Sequence, residues 1–211
     1  AKYCVAWGVV CLPFLIAGFI SLKNKVKENR RNLTLIAMSG AFIFVISSLK
    51  IPSVTGSCSH MTGTGLGAIL FGPASVSVLG VIVLLFQALL LAHGGLTTLG
   101  ANTFSMAIAG PVVSFGIYKL CQKINVNRRV GIFLAAFLGD LFTYCVTSIQ
   151  LAFAYPSEAG GVGASAVKFL GVFAIEGILT VVIVIGLETY AKPELRSIGF
   201  FKNKKGETQD E

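Results

Sequence analysis

The chain has 211 residues, of which 55% are apolar and only 12% charged, with a formal net charge of +8 and a mean hydropathy of +0.82. That is the composition of a membrane protein, and one membrane domain accounts for nearly all of it. With no HExxH, no GxSxG elbow and no GxxxxGKS or GxxxxGKT phosphate loop, the sequence is poorly equipped for metalloprotease, serine-hydrolase or nucleotide-hydrolysing chemistry.

In chain order, apolar stretches run from Tyr3 to Leu22, Leu33 to Leu49, Pro73 to Ala92, Thr97 to Leu120, Val130 to Ala154 and Ser165 to Tyr190. Each approaches the roughly 20 residues that an α-helix needs to cross a hydrocarbon core. A shorter apolar piece, Leu66 to Phe71, ends at Gly72-Pro73, where the chain is expected to break. The expectation is an all-α membrane protein over residues 1–191, with six transmembrane helices plus a short Gly-rich helix or re-entrant piece. Residues 192–211 form a polar cytoplasmic tail, expected to be disordered.

Lys and Arg in short loops stay on the cytoplasmic side. Lys23 to Arg31 holds five basic residues and one acid. Further basic groups are Lys119, Lys123, Arg128 and Arg129, and then Lys192, Arg196, Lys202, Lys204 and Lys205 in the tail. This predicts an outer N-terminus and a cytoplasmic C-terminus in the plasma membrane. An odd number of crossings is then needed between Lys50 and Lys119, where only two full spans lie. If the piece Thr62 to Phe71 carries the chain inward within a protein-lined cavity, the parity closes. Both histidines, His60 and His93, then fall at the outer face.

Four of the five cysteines, Cys4, Cys11, Cys121 and Cys145, sit in apolar spans as small hydrophobes, and no CxxC pair exists. The segment Ser53 to Gly67, "SVTGSCSHMTGTGLG", is different: it carries six hydroxyl residues, four glycines, Cys58 and His60. Irregular backbone at membrane depth is tolerated only against protein or a wet cavity, so this segment should line something. Glycines let the chain approach a small ligand, and an imidazole nitrogen suits nickel, cobalt, copper or zinc. A metal-ion site is one reading and a capped turn with a hydrogen-bonded histidine is the other; Cys58, two residues before His60, need not point the same way.

The stretch "KIPSVTGSCSHMTGTGLGAILFGP", followed by "LLFQALLLAHGGLTTLGANTFSMAIAGP", resembles the substrate-binding membrane subunit (S component) of energy-coupling-factor importers for cobalt and nickel, the CbiM/NikM type. The "GSCSH" form is similar to the cobalt branch. The likeness extends over nearly the whole chain, including "LGDLFTYCVTSIQLAFAYP" and "FAIEGILT". It implies capture of Co2+ for cobalamin biosynthesis, with Ni2+ uptake as the alternative, and no permanently bound cofactor. It also implies a divalent-cation site at the outer face in which His60 is a ligand. The family's other ligands are the terminal amine, backbone amide and imidazole of an N-terminal Met-His pair. This sequence begins "AKYCVAWG", without that pair, so the expectation is that a short segment carrying it precedes residue 1. Implied partners are a transmembrane coupling subunit, two cytoplasmic ATPase subunits and a small accessory membrane subunit, with the lipid bilayer and no nucleic acid.

Ser57, Cys58, Ser59, Gln87, His93 and Asn102 are candidates to line the site or to orient its ligands. For Gln87 and Asn102 the alternative is a tie between helices, and for His93 a loop anchor. Asp140 and Glu176 lie near the middle of the fifth and sixth spans. Buried carboxylates there can relay protons, attract the cation or hold the bundle together, and structural hydrogen bonding is the preferred role. An intramembrane hydrolase built on Ser57 or Ser59 lacks an orienting acid, and a channel would need repeated rings of polar groups.

Overall fold

The computed structural model describes residues 2–48, 51–52, 58–92, 94–154, 178, 180–197 and 200. Apart from a two-residue ladder, the regular structure of these residues is helical. The first helix, α1 (Lys2–Glu28), carries Pro13 in its interior and lies on the outside of the bundle, with Val5, Ile16 and Phe19 each more than 60% exposed. A helix apolar on all sides needs no protein cover where lipid supplies it. Asn32 closes the turn into α2 (Asn32–Ser48) by donating from Nδ2 to the Lys25 carbonyl at 2.9 Å.

After α2 the strands β1 (Ile51–Pro52) and β2 (Cys58–Ser59) pair antiparallel, Ile51 opposite Ser59 and Pro52 opposite Cys58. The short helix α3 (Thr64–Phe71) follows, and all eight of its residues are buried. At about 1.5 Å per residue it is roughly 12 Å long, far short of a bilayer. It lies within protein, against α2, α4, α6 and α7. Gly63 before it and Gly72 after it have φ of 68° and 81°, conformations that a side chain would strain. Pro73 at the first position then starts α4 (Pro73–Leu90), where its missing N–H costs no helical bond.

The next span, Leu96–Lys123, is not one uniform helix. It passes from a 3-10 turn (Leu96–Thr98) through α5 (Leu99–Asn102) and a π-helical segment (Thr103–Ala109) into α6 (Gly110–Lys123). Pro111 has no N–H to give, and the Gly110 N–H reaches back five residues to the Ser105 carbonyl. The proline thus interrupts the ordinary ladder and the backbone widens to compensate. Side chains from other helices support the stretch before it: Gln150 Nε2 donates to the Ala101 carbonyl at 3.2 Å and Cys11 Sγ to that of Gly100 at 3.7 Å.

Helices α6 and α7 (Arg128–Ala154) form a close antiparallel pair. A Cβ at Gly139 would overlap Ser114 Oγ, and one at Gly110 would overlap Thr143 Oγ1, so these glycines permit the approach. The chain returns through α8 (Thr180–Tyr190) and the short α9 (Lys192–Ser197).

The expected six spans are met in part. Among the described residues four helices are long and apolar enough to cross a membrane: Val5–Glu28, Pro73–Leu90, Leu96–Lys123 and Arg128–Gln150. Asn32–Ser48 and Thr180–Tyr190 are shorter apolar helices, and residues 155–177, which hold most of the sixth span, lie outside the described residues. The tail, expected to be disordered from residue 192, is instead ordered at its start. Leu195 and Phe200 are buried, and the Arg128 guanidinium sits 4.3 Å from the Phe200 ring centroid. Two apolar side chains among charged neighbours thus suffice to dock α9 on the bundle. Residues 201–211 lie outside the described residues.

Candidate metal centre

His60 stands between β2 and α3, in the irregular stretch 60–63, where no helix or ladder supplies backbone partners. Its main chain is held from α7, 84 residues away. The His60 N–H donates to the Tyr144 hydroxyl at 2.7 Å, and the same hydroxyl donates to the His60 carbonyl. Next to it Met61 is buried and packs in a small cluster with Ile46, to which Phe42, Phe137, Leu141 and Tyr144 contribute. Thr62 Oγ1 and Thr64 Oγ1 share a hydrogen bond of 3.1 Å at the start of α3.

The imidazole is half-buried, and its Nδ1 lies 3.1 Å from the Met61 carbonyl. A carbonyl can only accept, so this bond requires the proton on Nδ1. In the neutral ring the lone pair is then on Nε2, a nitrogen of the kind that coordinates metals. A ring nitrogen bonded to a carbonyl in this way is the usual means by which a ligating histidine is oriented.

The other candidates divide into three groups. Gln87, fully buried on α4, donates from Nε2 to Ser47 Oγ on α2, and Ser47 donates in turn to the Ile43 and Phe44 carbonyls. That is a tie between helices, the second of the two roles considered for it. Asn102 is bonded locally, with Nδ2 donating to Thr98 Oγ1 at 3.4 Å. Asp140 is 1% exposed on α7, one turn before Tyr144, while its neighbour Thr143 donates to the Gly139 carbonyl of its own helix. Cys58 and Ser59 have only their backbone described, in β2. Ser57, His93 and Glu176 lie outside the described residues. Among the described residues no three His, Cys, Asp or Glu side chains gather into a metal cluster.

Residues 1–195 match the family model of the cobalt uptake substrate-specific transmembrane region, CbiM. The chain belongs to the CbiM family. Among CbiM relatives, a protein of Lachnoclostridium phytofermentans named cobalt transport protein CbiM is 74% identical over 206 residues, covering 94% of this chain and 82% of that protein. One of the same name from Chlorobium limicola is 62% identical over 193 residues, 88% of this chain and 76% of its own. Two crystal structures share the fold. One, described as a truncated transition metal transporter, has a TM-score of 0.80 at 24% identity over 90% of this chain and 94% of its own. The other, described as a transition metal transporter, has a TM-score of 0.76 at 25% identity over 90% of both.

The residue absent from the list of sequence candidates is Tyr144. It occurs in "LFTYC" on a helix whose other polar residues read as bundle contacts, and nothing local to either segment pairs it with His60. The only sequence signal was a hydroxyl facing the same way as Asp140, four residues earlier on the helix.

Proposed function

We propose that this chain is the ion-capturing membrane subunit of an importer that takes up Co2+, with His60 as one of the nitrogen ligands. The observation that carries the reading is the family match over residues 1–195, with 74% identity to a protein named for cobalt transport. The cation is the cargo, shed of part of its water and taken up by nitrogen donors that tolerate Co2+ and favour Ni2+. His60 Nε2 supplies one of them, while its Nδ1–H is committed to the Met61 carbonyl. The remaining donors come from a Met-His segment at the N-terminus, as the family pattern implies.

In this reading the chain crosses the membrane six times with its N-terminus outside. Helix α3 serves as the buried re-entrant piece that brings the chain inward from the His60 loop. Uphill import needs energy that a capture subunit does not itself supply. The chain therefore works with a transmembrane coupling subunit, two cytoplasmic ATPases and a small accessory membrane subunit, the energy-coupling-factor context of the family. The metal would feed cobalamin synthesis.

Cobalt and nickel titrations of the purified chain, with and without an N-terminal Met-His segment, test the proposal. The expected result is binding by the extended chain, lost in His60→Ala. Binding of Ni2+ but not Co2+ would move the cargo to nickel. Undiminished binding by His60→Ala would remove His60 from the site.

A further inference from the structure

We infer that Tyr144 is a positioning residue for the metal-capturing histidine: its hydroxyl fixes the His60 main chain against α7 in the orientation from which the ring meets the cation. The inference rests on the function proposed above and deepens it.

One phenolic oxygen accepts from the N–H and donates to the C=O of the same residue, His60. These two groups belong to the peptide planes on either side of one Cα, so holding both fixes the direction of the Cα–Cβ bond. The ring's remaining freedom is in its side-chain torsions, and the Nδ1–H bond to the Met61 carbonyl limits those. Main chain and ring are thus held by separate devices, and Tyr144 supplies the first.

The anchor is itself well placed. Tyr144 packs with Met61, the residue whose carbonyl orients the ring, so both devices share one apolar cluster. It projects from α7, which is locked to α6 where Gly110 and Gly139 allow the two backbones to meet. Without such a partner the two polar groups of an irregular, half-buried residue would need another. The His60 loop would then have to be ordered by the arriving ion, and ligands must sit within about 0.5 Å of their productive positions to bind it well.

The hydroxyl is not placed to act as a ligand. Its proton is given to the His60 carbonyl and a lone pair takes the His60 N–H, so both functions of the phenol are already used on the main chain. Metal bound here should therefore carry nitrogen-ligand spectra without a phenolate contribution.

The test is Co2+ titration of the full chain carrying an N-terminal Met-His segment, for the unaltered protein, Tyr144→Phe and His60→Ala. Phenylalanine keeps the ring in its cluster and removes only the hydroxyl. Expected are an affinity lower by about 10–100-fold, the usual cost of losing a group that orients a ligand, and a broadened, shifted ligand-field spectrum of the bound cobalt. His60→Ala should not bind at all. Unchanged affinity and spectrum in Tyr144→Phe, with binding abolished in His60→Ala, would overturn the positioning role alone. Unchanged binding in both variants would overturn the metal-site reading and this inference with it. A phenolate-to-metal band in the unaltered protein would make Tyr144 a ligand and equally overturn the inference. Should Tyr144→Phe fail to fold, amide hydrogen exchange on the unaltered protein decides. A His60 N–H protected to the level of helical amides in α7 supports the clamp, and one exchanging at the rate of an unprotected amide refutes it.

Discussion

The two halves of α7 are built by opposite rules. At its start Arg128 meets charge with charge: its guanidinium lies 3.4 Å from Glu188, stacks on Phe200 and donates to the Phe200 carbonyl. Nearly three turns before its end, Tyr144 holds His60 through neutral hydrogen bonds to the main chain. Where charge is neutralised within the protein, a segment is fastened down. Where a loop is held by neutral groups around the histidine proposed to bind the cation, the charge comes with the ligand. The comparison separates a fastening from a receptor, and it can be broken in either half.

The largest effect belongs to the receptor half. His60→Ala removes the nitrogen ligand proposed for the cation and is expected to abolish Co2+ binding, read by titration, while the helix content seen by circular dichroism stays unchanged. A smaller but continuous version of the same effect comes from acid. Ligation needs the neutral imidazole, so protons compete with the metal as the pH is lowered. Affinity should fall with the pH, approaching about tenfold per pH unit for one competing proton. A Co2+ affinity that is the same at pH 5 and pH 7.5 would exclude a histidine ligand.

The middle of α7 offers a control that touches neither end. In Gly139→Ala the new Cβ would overlap Ser114 Oγ and lie 2.9 Å from Ser114 Cβ, so α6 and α7 must separate or shift. Overpacking of this kind costs about 1–3 kcal/mol, which should appear as a lower unfolding temperature in detergent. Adding Ser114→Gly to Gly139→Ala should restore most of the loss. If metal affinity falls together with stability in Gly139→Ala and recovers with it, the α6–α7 contact is part of what holds Tyr144 in register.

How far these features are legible in the sequence follows from how local their causes are. The helices announce themselves through unbroken apolar runs, and the Gly72-Pro73 break marks the end of α3 because both residues act on their own backbone. His60 stands out because it is polar in an apolar chain, and the family pattern around it is contiguous. Tyr144 was not legible as its partner, since 84 residues separate them and the match depends on how α7 is rotated against the loop. The π-helical segment has its cause in Pro111, but the sequence does not specify whether a proline kinks a helix, ends it or widens it. The docked start of the tail was missed because Leu195 and Phe200 are lone apolar residues in a charged segment, and only the surface beneath them gives them a place to bury.

The smallest expected effect is at the fastening end. Arg128 and Glu188 are 27% and 26% exposed, so solvent screens their attraction and a pair of this kind contributes about 0–1 kcal/mol. Glu188→Gln should therefore shift the unfolding temperature very little. Arg128→Ala should cost more than Glu188→Gln, because it also removes the contact with the Phe200 ring and the bond to its carbonyl. A double-mutant cycle separates the two contributions: the Arg128–Glu188 coupling should be small, and the excess should track release of α9, read as faster proteolysis after Arg196. Neither substitution should alter Co2+ affinity. If Arg128→Ala weakened metal binding, the two halves of α7 would be coupled along the helix, and the division between fastening and receptor would have to be redrawn as one device.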